Sequence, residues 1–214
     1  MIPAAGPRLS AHALGLSRGP RRLFANLTWS LSAGQALILR GANGSGKTTL
    51  LRVLAGLTAA DAGEVRWNDA RWTPLCAAQR EASVYLGHAN ALKDELTASE
   101  NLAVALAFDG VEPDEAARAA ALDAAGLGSR HHLLARRLSQ GQKRRIGLAR
   151  LSLSRKPLWL LDEPTNALDA DGVDFFVRLL EKHLQAGGLA CIATHLPLTI
   201  AATARELQLG GGDA

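Results

Sequence analysis

Four short apolar runs punctuate the chain: Ala36–Arg40, Ser83–Leu86, Leu158–Leu161 and Leu189–Ala193. Each breaks off at a polar or Gly-rich cluster, and helical patterns lie between them. Runs of that length and setting read as strands, and their alternation with helices predicts a mostly parallel α/β sheet. In such sheets ligands bind beyond the carboxyl ends of the strands. Every chemically suggestive cluster in this sequence falls at such an end. Leu50, Leu54 and Leu57 share one face of a helix predicted after the first run. From about Glu95 to Leu153 the chain turns Ala-, Leu- and Arg-rich with helical spacing, as in Glu115–Gly126, so helices are inserted between strands. The segment up to about Gly34 and the stretch Glu64–Trp72 read as short strands of a small antiparallel sheet on one flank. The tail Gly210–Ala214 is expected to fray.

Length and composition narrow the picture. The chain has 214 residues, enough for one α/β unit with a full core. Apolar residues make up 48% and charged residues 21%, ordinary values for a globular protein. No apolar run approaches the ~18–20 residues that cross a bilayer; the longest lies around Ala103–Phe108. Met1–Ser10 lacks a continuous apolar core, so a secretory signal is not expected and the cytosol is. Cys76 and Cys191 lie far apart without metal-type spacing, and a disulfide is not expected in a reducing compartment. Net charge is +4, with basic stretches at Arg18–Arg22 and Lys143–Arg150. Such stretches meet nucleic acid or an anionic membrane in some proteins, but solvated or phosphate-facing arginines explain them equally, and so small a net charge decides nothing.

The residues Gly41-Ala42-Asn43-Gly44-Ser45-Gly46-Lys47-Thr48 fit the pattern G-x-x-x-x-G-K-[ST] between a predicted strand and a predicted helix. Glycines let backbone N–H groups turn inward around phosphate oxygens without a Cβ clash. The helix N-terminus adds positive potential. Lys47 is placed to reach the β- and γ-phosphates, and the Thr48 hydroxyl to ligate Mg²⁺.

A second cluster ends the third run. Leu158-Trp159-Leu160-Leu161-Asp162-Glu163 is an apolar strand closing in two carboxylates. Adjacent anions at such a place need something that binds them. Mg²⁺ does so for Asp162, directly or through water, and Glu163 is then placed to polarise the water that attacks the γ-phosphate. Two carboxylates capping the helix after Pro164 are the plainer alternative.

These residues together resemble the ATP-binding-cassette (ABC) family. Leu138-Ser139-Gln140-Gly141-Gln142 resembles its signature LSGGQ, with Gln140 in place of the first Gly, and stands before the acidic strand as that family requires. Ser139 is suited to cap a helix running through Ile146, Ala149 and Leu153, whose N-terminus with the Gly141 N–H makes an anion site. Asn166-Ala167-Leu168-Asp169 resembles the D-loop, with Asp169 crossing to a partner's site, and Thr194-His195 resembles the switch histidine. The resemblance covers nearly the whole chain. It implies a P-loop NTPase fold with a mostly parallel core sheet, a small antiparallel β subdomain and an inserted helical subdomain: one ATPase domain over residues 1–214, with the helical insert at about 88–153. It implies ATP and Mg²⁺ as cofactors. ATP is bound by Gly41 through Thr49, Mg²⁺ by Thr48 and Asp162, and hydrolysis is carried by Lys47, Glu163 and His195. It also implies a head-to-tail dimer in which Ser139, Gln140, Gly141 and Gln142 grip the nucleotide held by the other copy.

Two departures stand out. Most family members carry a Gln after the strand ending near Leu86; here the residues are Gly87-His88, so a coupling role passes to His88. The usual aromatic that stacks on adenine is missing, and Arg18 stands at about its place, where a guanidinium plane can stack on a base.

The segment Tyr85-Leu86-Gly87-His88, the run Leu92–Leu102 and Gly141-Gln142-Lys143-Arg144-Arg145 resemble a narrower family, the cytochrome c biogenesis ATP-binding export proteins, or haem-exporter ATPases. The form usual there reads LSAGQ, so Gln140 is a small mismatch. That resemblance implies integral membrane partners and haem-handling cytochrome c maturation proteins, a peripheral place on the cytoplasmic face of the inner membrane, and ATP hydrolysis that drives haem export or release of haem from a chaperone. No direct nucleic-acid partner is expected, and His131-His132 lacks the Cys-x-x-Cys-His context of haem attachment. The alternatives are the ATPase of another ABC importer or exporter, and an ABC ATPase acting on nucleic acid or ribosomes. A P-loop kinase would leave Ser139–Gln142 unexplained.

Overall fold

The computed structural model describes residues 6–74 and 76–210. Two sheets organise them. The first is antiparallel, in the order β2-β1-β4-β5, from β1 (Arg8–Arg18), β2 (Arg21–Ser32), β4 (Ala62–Trp67) and β5 (Ala70–Trp72). The second contains β3 (Ala36–Arg40), β6 (Ser83–Leu86), β7 (Leu158–Asp162), β8 (Leu189–Ala193) and β9 (Ala204–Gln208) in the order β6-β7-β8-β3-β9. Every pairing in it is parallel. Both expected sheets are therefore present.

Within β3, β7 and β8 the residues before the polar strand ends are apolar because both faces of the sheet are covered there, whereas the edge strand β9 is mostly exposed. Along β7, Leu158 and Leu160 enter the core shared with the antiparallel sheet and with α1 (Lys47–Leu54), whereas Trp159 and Leu161 enter a core on the other face. That second core is closed by α5 (Gln140–Leu153) and by Phe176, Leu180 and Leu184 of α6 (Ala170–Gln185). Burying each leucine contributes about 1.5–3 kcal/mol, so the strand end that carries Asp162 is anchored from both sides.

Helices α3 (Ala98–Phe108) and α4 (Glu115–Ala124) form a third core with the outer face of α5, centred on Leu102, Leu106, Leu122, Leu127 and Ile146. A short helix, α2 (Ala77–Ala82), precedes β6. Thr97 and Glu100 make a capping box that starts α3, and Asp114 caps α4. Among the described residues no helix is long and apolar enough to cross a membrane.

Three sequence expectations need correction or limits. Leu57 is not on the buried face of α1: the helix stops at Leu54, the chain turns at Gly56 with φ 71°, and Leu57 is 53% exposed. The stretch Lys143–Arg150 is not a solvated or phosphate-facing basic run. Lys143 pairs with Asp94, Arg145 with Asp169 and Arg150 with Asp109, while Arg144 is buried. The fraying expected of the tail concerns, for residues 211–214, a segment outside the described residues.

Candidate functional site

The loop between β3 and α1 takes its shape from its glycines. Gly46, the N-cap of α1, has φ 103°, a region that L side chains rarely adopt. At Gly41 a Cβ would strike the Leu209 carbonyl and the Ser45 side chain. The helix begins at Lys47, so its first N–H groups face the loop with no intrahelical acceptor. Lys47 is buried, and its Nζ donates to the carbonyls of Gly41 at 2.7 Å and Ala42 at 3.1 Å. This ammonium is held inside the loop, where a phosphate would replace carbonyl oxygens.

The loop borders a cleft of about 530 Å³. Asn43, Gly44, Gly46, Lys47, Thr48 and Thr49 form one wall. Glu163, Asn166 and His195 line the same cleft, as do Arg18 and Leu23 of the β1–β2 hairpin, Arg52 of α1 and His88. Most of the residues expected at a phosphate site thus converge on one cleft. Gly41 and Ala42 contribute the carbonyls that hold Lys47, and Ser45 is buried beneath the loop.

Asp162 is 2% exposed, and among the described residues its Oδ2 has no hydrogen-bond partner. Burial raises its pKa, Glu163 nearby raises it further, and a hydrogen bond from Thr48 together with the charges of His88 and Arg144 oppose the rise. A buried carboxylate oxygen without a partner, beside a threonine hydroxyl, fits a hard divalent cation such as Mg²⁺. Glu163 follows with φ 48°, a left-handed backbone that is strained for a residue with a side chain. That turn lifts its carboxylate toward the cleft, where His195 Nδ1 donates to Oε2 at 3.0 Å. The carboxylate and the imidazole, far apart in sequence, form one unit.

Ser139 caps α5: its hydroxyl accepts from the Gln142 N–H at 3.2 Å, and Gln142 Oε1 accepts from the Ser139 N–H at 2.9 Å. A Cβ on Gly141 would strike the Ala167 carbonyl, so the signature turn packs directly on the segment that leads to Asp169. Gln140 is exposed, with Asn90 Nδ2 at 3.5 Å, so the turn accepts a side chain where the family pattern has Gly. Asp169 caps α6 through the Gly172 N–H at 2.9 Å and also accepts from Arg145 at 2.5 Å. The Gly172 N–H and then Arg145 hold its carboxyl below the usual carboxylate range. Ser139–Gln142 and Asp169 do not line the cleft of their own chain. The cleft also contains Arg52, which the sequence reading missed. It stands one turn beyond Thr48 on α1, and that spacing was the available signal.

Residues 24–166 match the family model described as "ABC transporter". A curated relative from Dechloromonas aromatica (strain RCB), a cytochrome c biogenesis ATP-binding export protein CcmA, is 47% identical across 94% of this chain and 100% of its own length. A relative of the same name from Rhodopseudomonas palustris (strain BisB18) is 49% identical across 95% of this chain and 98% of its own. Among solved structures, a putative ABC transporter ATP-binding protein from Pyrococcus furiosus superposes with a TM-score of 0.81 at 22% identity, covering 94% of this chain and 97% of that one. An ATP-binding cassette solved as a post-hydrolysis dimer bound to ADP and Pi superposes with a TM-score of 0.77 at 24% identity, covering 87% and 88%. With its phosphate loop, its acidic strand end and its capped signature turn in the order of such cassettes, the chain belongs to the ABC transporter family, among the cytochrome c biogenesis ATP-binding export proteins.

Proposed function

We propose that this chain is the ATP-hydrolysing subunit of an ABC transporter of cytochrome c biogenesis, and that its turnover powers haem export or release of haem from a chaperone. The observation that carries the catalytic part is the Glu163–His195 pair lining one cleft together with the loop residues Asn43, Gly44, Gly46, Lys47, Thr48 and Thr49. Lys47 and the loop N–H groups bind the β- and γ-phosphates, and Arg18 stacks on the adenine at the hairpin tip. Thr48 and Asp162 are the residues that would hold Mg²⁺, which when bound neutralises charge on the phosphate oxygens. Glu163 takes a proton from water as its oxygen attacks the γ-phosphorus and the bond to the ADP oxygen breaks. His195 orients the Glu163 carboxylate for that transfer. The whole chain works as one ATPase domain, with residues of about 88–153 as its helical insert.

The signature turn lies outside its own cleft, which suits a head-to-tail pair of chains in which Ser139 and Gly141 complete the partner's site. Asp169 lies on the same surface. In this reading the chain sits peripherally on the cytoplasmic face of the inner membrane, integral membrane subunits receive the motion, and His88 couples the cleft to them. ATPase assays on the purified chain, alone and with detergent-solubilised membrane partners that co-purify with it, test this reading. Turnover stimulated by cytochrome c maturation membrane proteins supports it, and co-sedimentation with ribosomes or DNA instead of membrane proteins overturns it.

A further inference from the structure

Arg144 lies in the second turn of α5 and is 3% exposed. A guanidinium has five N–H donors, and all five are used here. Nε donates to the Pro164 carbonyl at 3.1 Å. Nη2 donates to the carbonyls of Asp162 at 2.5 Å and Glu163 at 2.6 Å. Nη1 donates to the Gly87 carbonyl at 2.7 Å and to Asn90 Oδ1 at 3.4 Å. Three successive carbonyls, of residues 162, 163 and 164, therefore point into one guanidinium. Consecutive carbonyls of a strand point to opposite sides, so this convergence exists only because the chain leaves β7 through the left-handed Glu163.

That turn aims the Glu163 carboxylate at His195 and the cleft. A strained backbone persists when its surroundings over-determine it, and Arg144 supplies the largest such set of bonds to this turn. The fourth carbonyl, of Gly87, belongs to the segment carrying His88, so one side chain of the signature helix fastens both the acidic turn and the seam. Burial pushes the guanidinium pKa down and the charges of Asp162, Glu163 and Tyr85 oppose this.

We infer that Arg144 is a positioning residue for hydrolysis: its guanidinium holds the Asp162–Pro164 turn so that Glu163 stands in line with the attacking water. This rests on the reading of Glu163 as the general base. Lysine keeps the charge but presents three donors on one tetrahedral nitrogen, which cannot span carbonyls on two segments. Arg144→Lys should therefore lower kcat by about 100-fold, the usual cost of misplacing a reacting group by about 1 Å, while the KM for ATP stays within about threefold. In the Glu163→Gln background the same substitution should change the residual rate by less than about twofold, because the carboxylate to be positioned is already gone.

A purely structural role would lower both backgrounds by the same factor, and that outcome overturns the inference. So does a folded Arg144→Lys that keeps kcat within about twofold, or one that raises KM alone. If neither Arg144→Lys nor Arg144→Gln folds by circular dichroism, the inference fails as well, because it requires the turn rather than the fold to depend on Arg144. Normal turnover in Glu163→Gln alone would remove the base and this inference with it. An inactive Glu163→Gln beside an active Arg144→Lys overturns only the inference.

Discussion

His195 Nδ1 lies 3.0 Å from Glu163 Oε2, and the two residues come from the ends of adjacent parallel strands, β8 and β7. The pairing has a direction. A carboxylate only accepts, so the imidazole carries its proton on Nδ1 and leaves the Nε2 lone pair free to accept from a second partner such as a water. Glu163 itself is tied down by its own N–H, which donates to the Ala193 carbonyl at 2.8 Å. The Glu163 carboxylate and the His195 imidazole are therefore registered by the sheet.

Removing the carboxylate should stop turnover without preventing nucleotide binding. Glu163→Gln is expected to lower kcat by about 10²–10⁴-fold, the range of a lost general base, and to accumulate an ATP-bound dimer on a sizing column. His195→Ala leaves the carboxylate in place but unoriented, so its loss should be smaller. A Glu163→Gln protein that turns over normally and stays monomeric with ATP would contradict the assignment.

Lys47 is buried, and among the described residues its Nζ finds two loop carbonyls as acceptors. Lys47→Ala should weaken ATP binding by about 1.5–3 kcal/mol, or about 10- to 150-fold, and abolish hydrolysis. Calorimetric titration with a non-hydrolysable ATP analogue measures the first effect and phosphate release the second. Unchanged affinity would remove Lys47 from the phosphate site.

His183 offers a pH dependence that has nothing to do with catalysis. Its ring stacks on Trp159, with centroids 3.9 Å apart and planes 8° from parallel, and its Nε2 donates to the Leu189 carbonyl at 3.1 Å. Burial depresses its pKa, and backbone hydrogen bonds offset this in part. The folded state thus keeps His183 neutral where the unfolded chain already binds a proton. Its contribution to stability is present above the unfolded pKa of about 6.5 and is lost as pH falls from there through the depressed folded value. The slope is at most about 1.4 kcal/mol per pH unit for one proton. His183→Gln should flatten the fall of Tm as pH drops below about 6.5, even though it destabilises the chain at pH 8. Parallel melting curves of wild type and variant across that range decide it; identical slopes would mean that His183 does not titrate in folding.

How much of this was legible in the sequence varied with the physics behind each element. β3, β7 and β8 announced themselves because both faces of a covered parallel sheet favour runs of apolar residues, and β6 because Val84 and Leu86 enter one core while Tyr85 packs on the other. β9 did not, because Ala204–Gln208 is an edge strand, mostly exposed, with Glu206 paired to Arg40 at 3.2 Å instead of buried. The phosphate loop was legible because its glycines answer a local backbone need. Arg144 was hidden inside a basic run, since nothing local separates an arginine that reaches solvent from one that reaches back to three carbonyls. The Gln140 mismatch lost its weight once Gln140 proved exposed, while Gly141, closed in by the Ala167 carbonyl, is the position that admits no side chain.

His88 stands where the resemblance to the wider family leads to an expected Gln, and it lies at the cleft. It is exposed and lines the cleft, and the residue before it, Gly87, has its carbonyl fixed by Arg144 at 2.7 Å. The backbone is therefore anchored on one side of His88 while its ring is exposed in the cleft. Its charge counts among the influences on buried Asp162, after desolvation and the Thr48 hydrogen bond. An imidazole here can meet the cation's hydration shell through one nitrogen when neutral, as a Gln amide oxygen does, but not when it is a cation. His88→Ala should spare ATP binding and impair the stimulation of hydrolysis by membrane subunits. His88→Gln should restore much of it, because an amide supplies an acceptor of similar reach. If His88 only fills the seam, both substitutions shift the melting temperature together and leave stimulation intact. ATP hydrolysis measured with and without the co-purified membrane subunits separates the two, and full stimulation of His88→Ala would end its role in coupling.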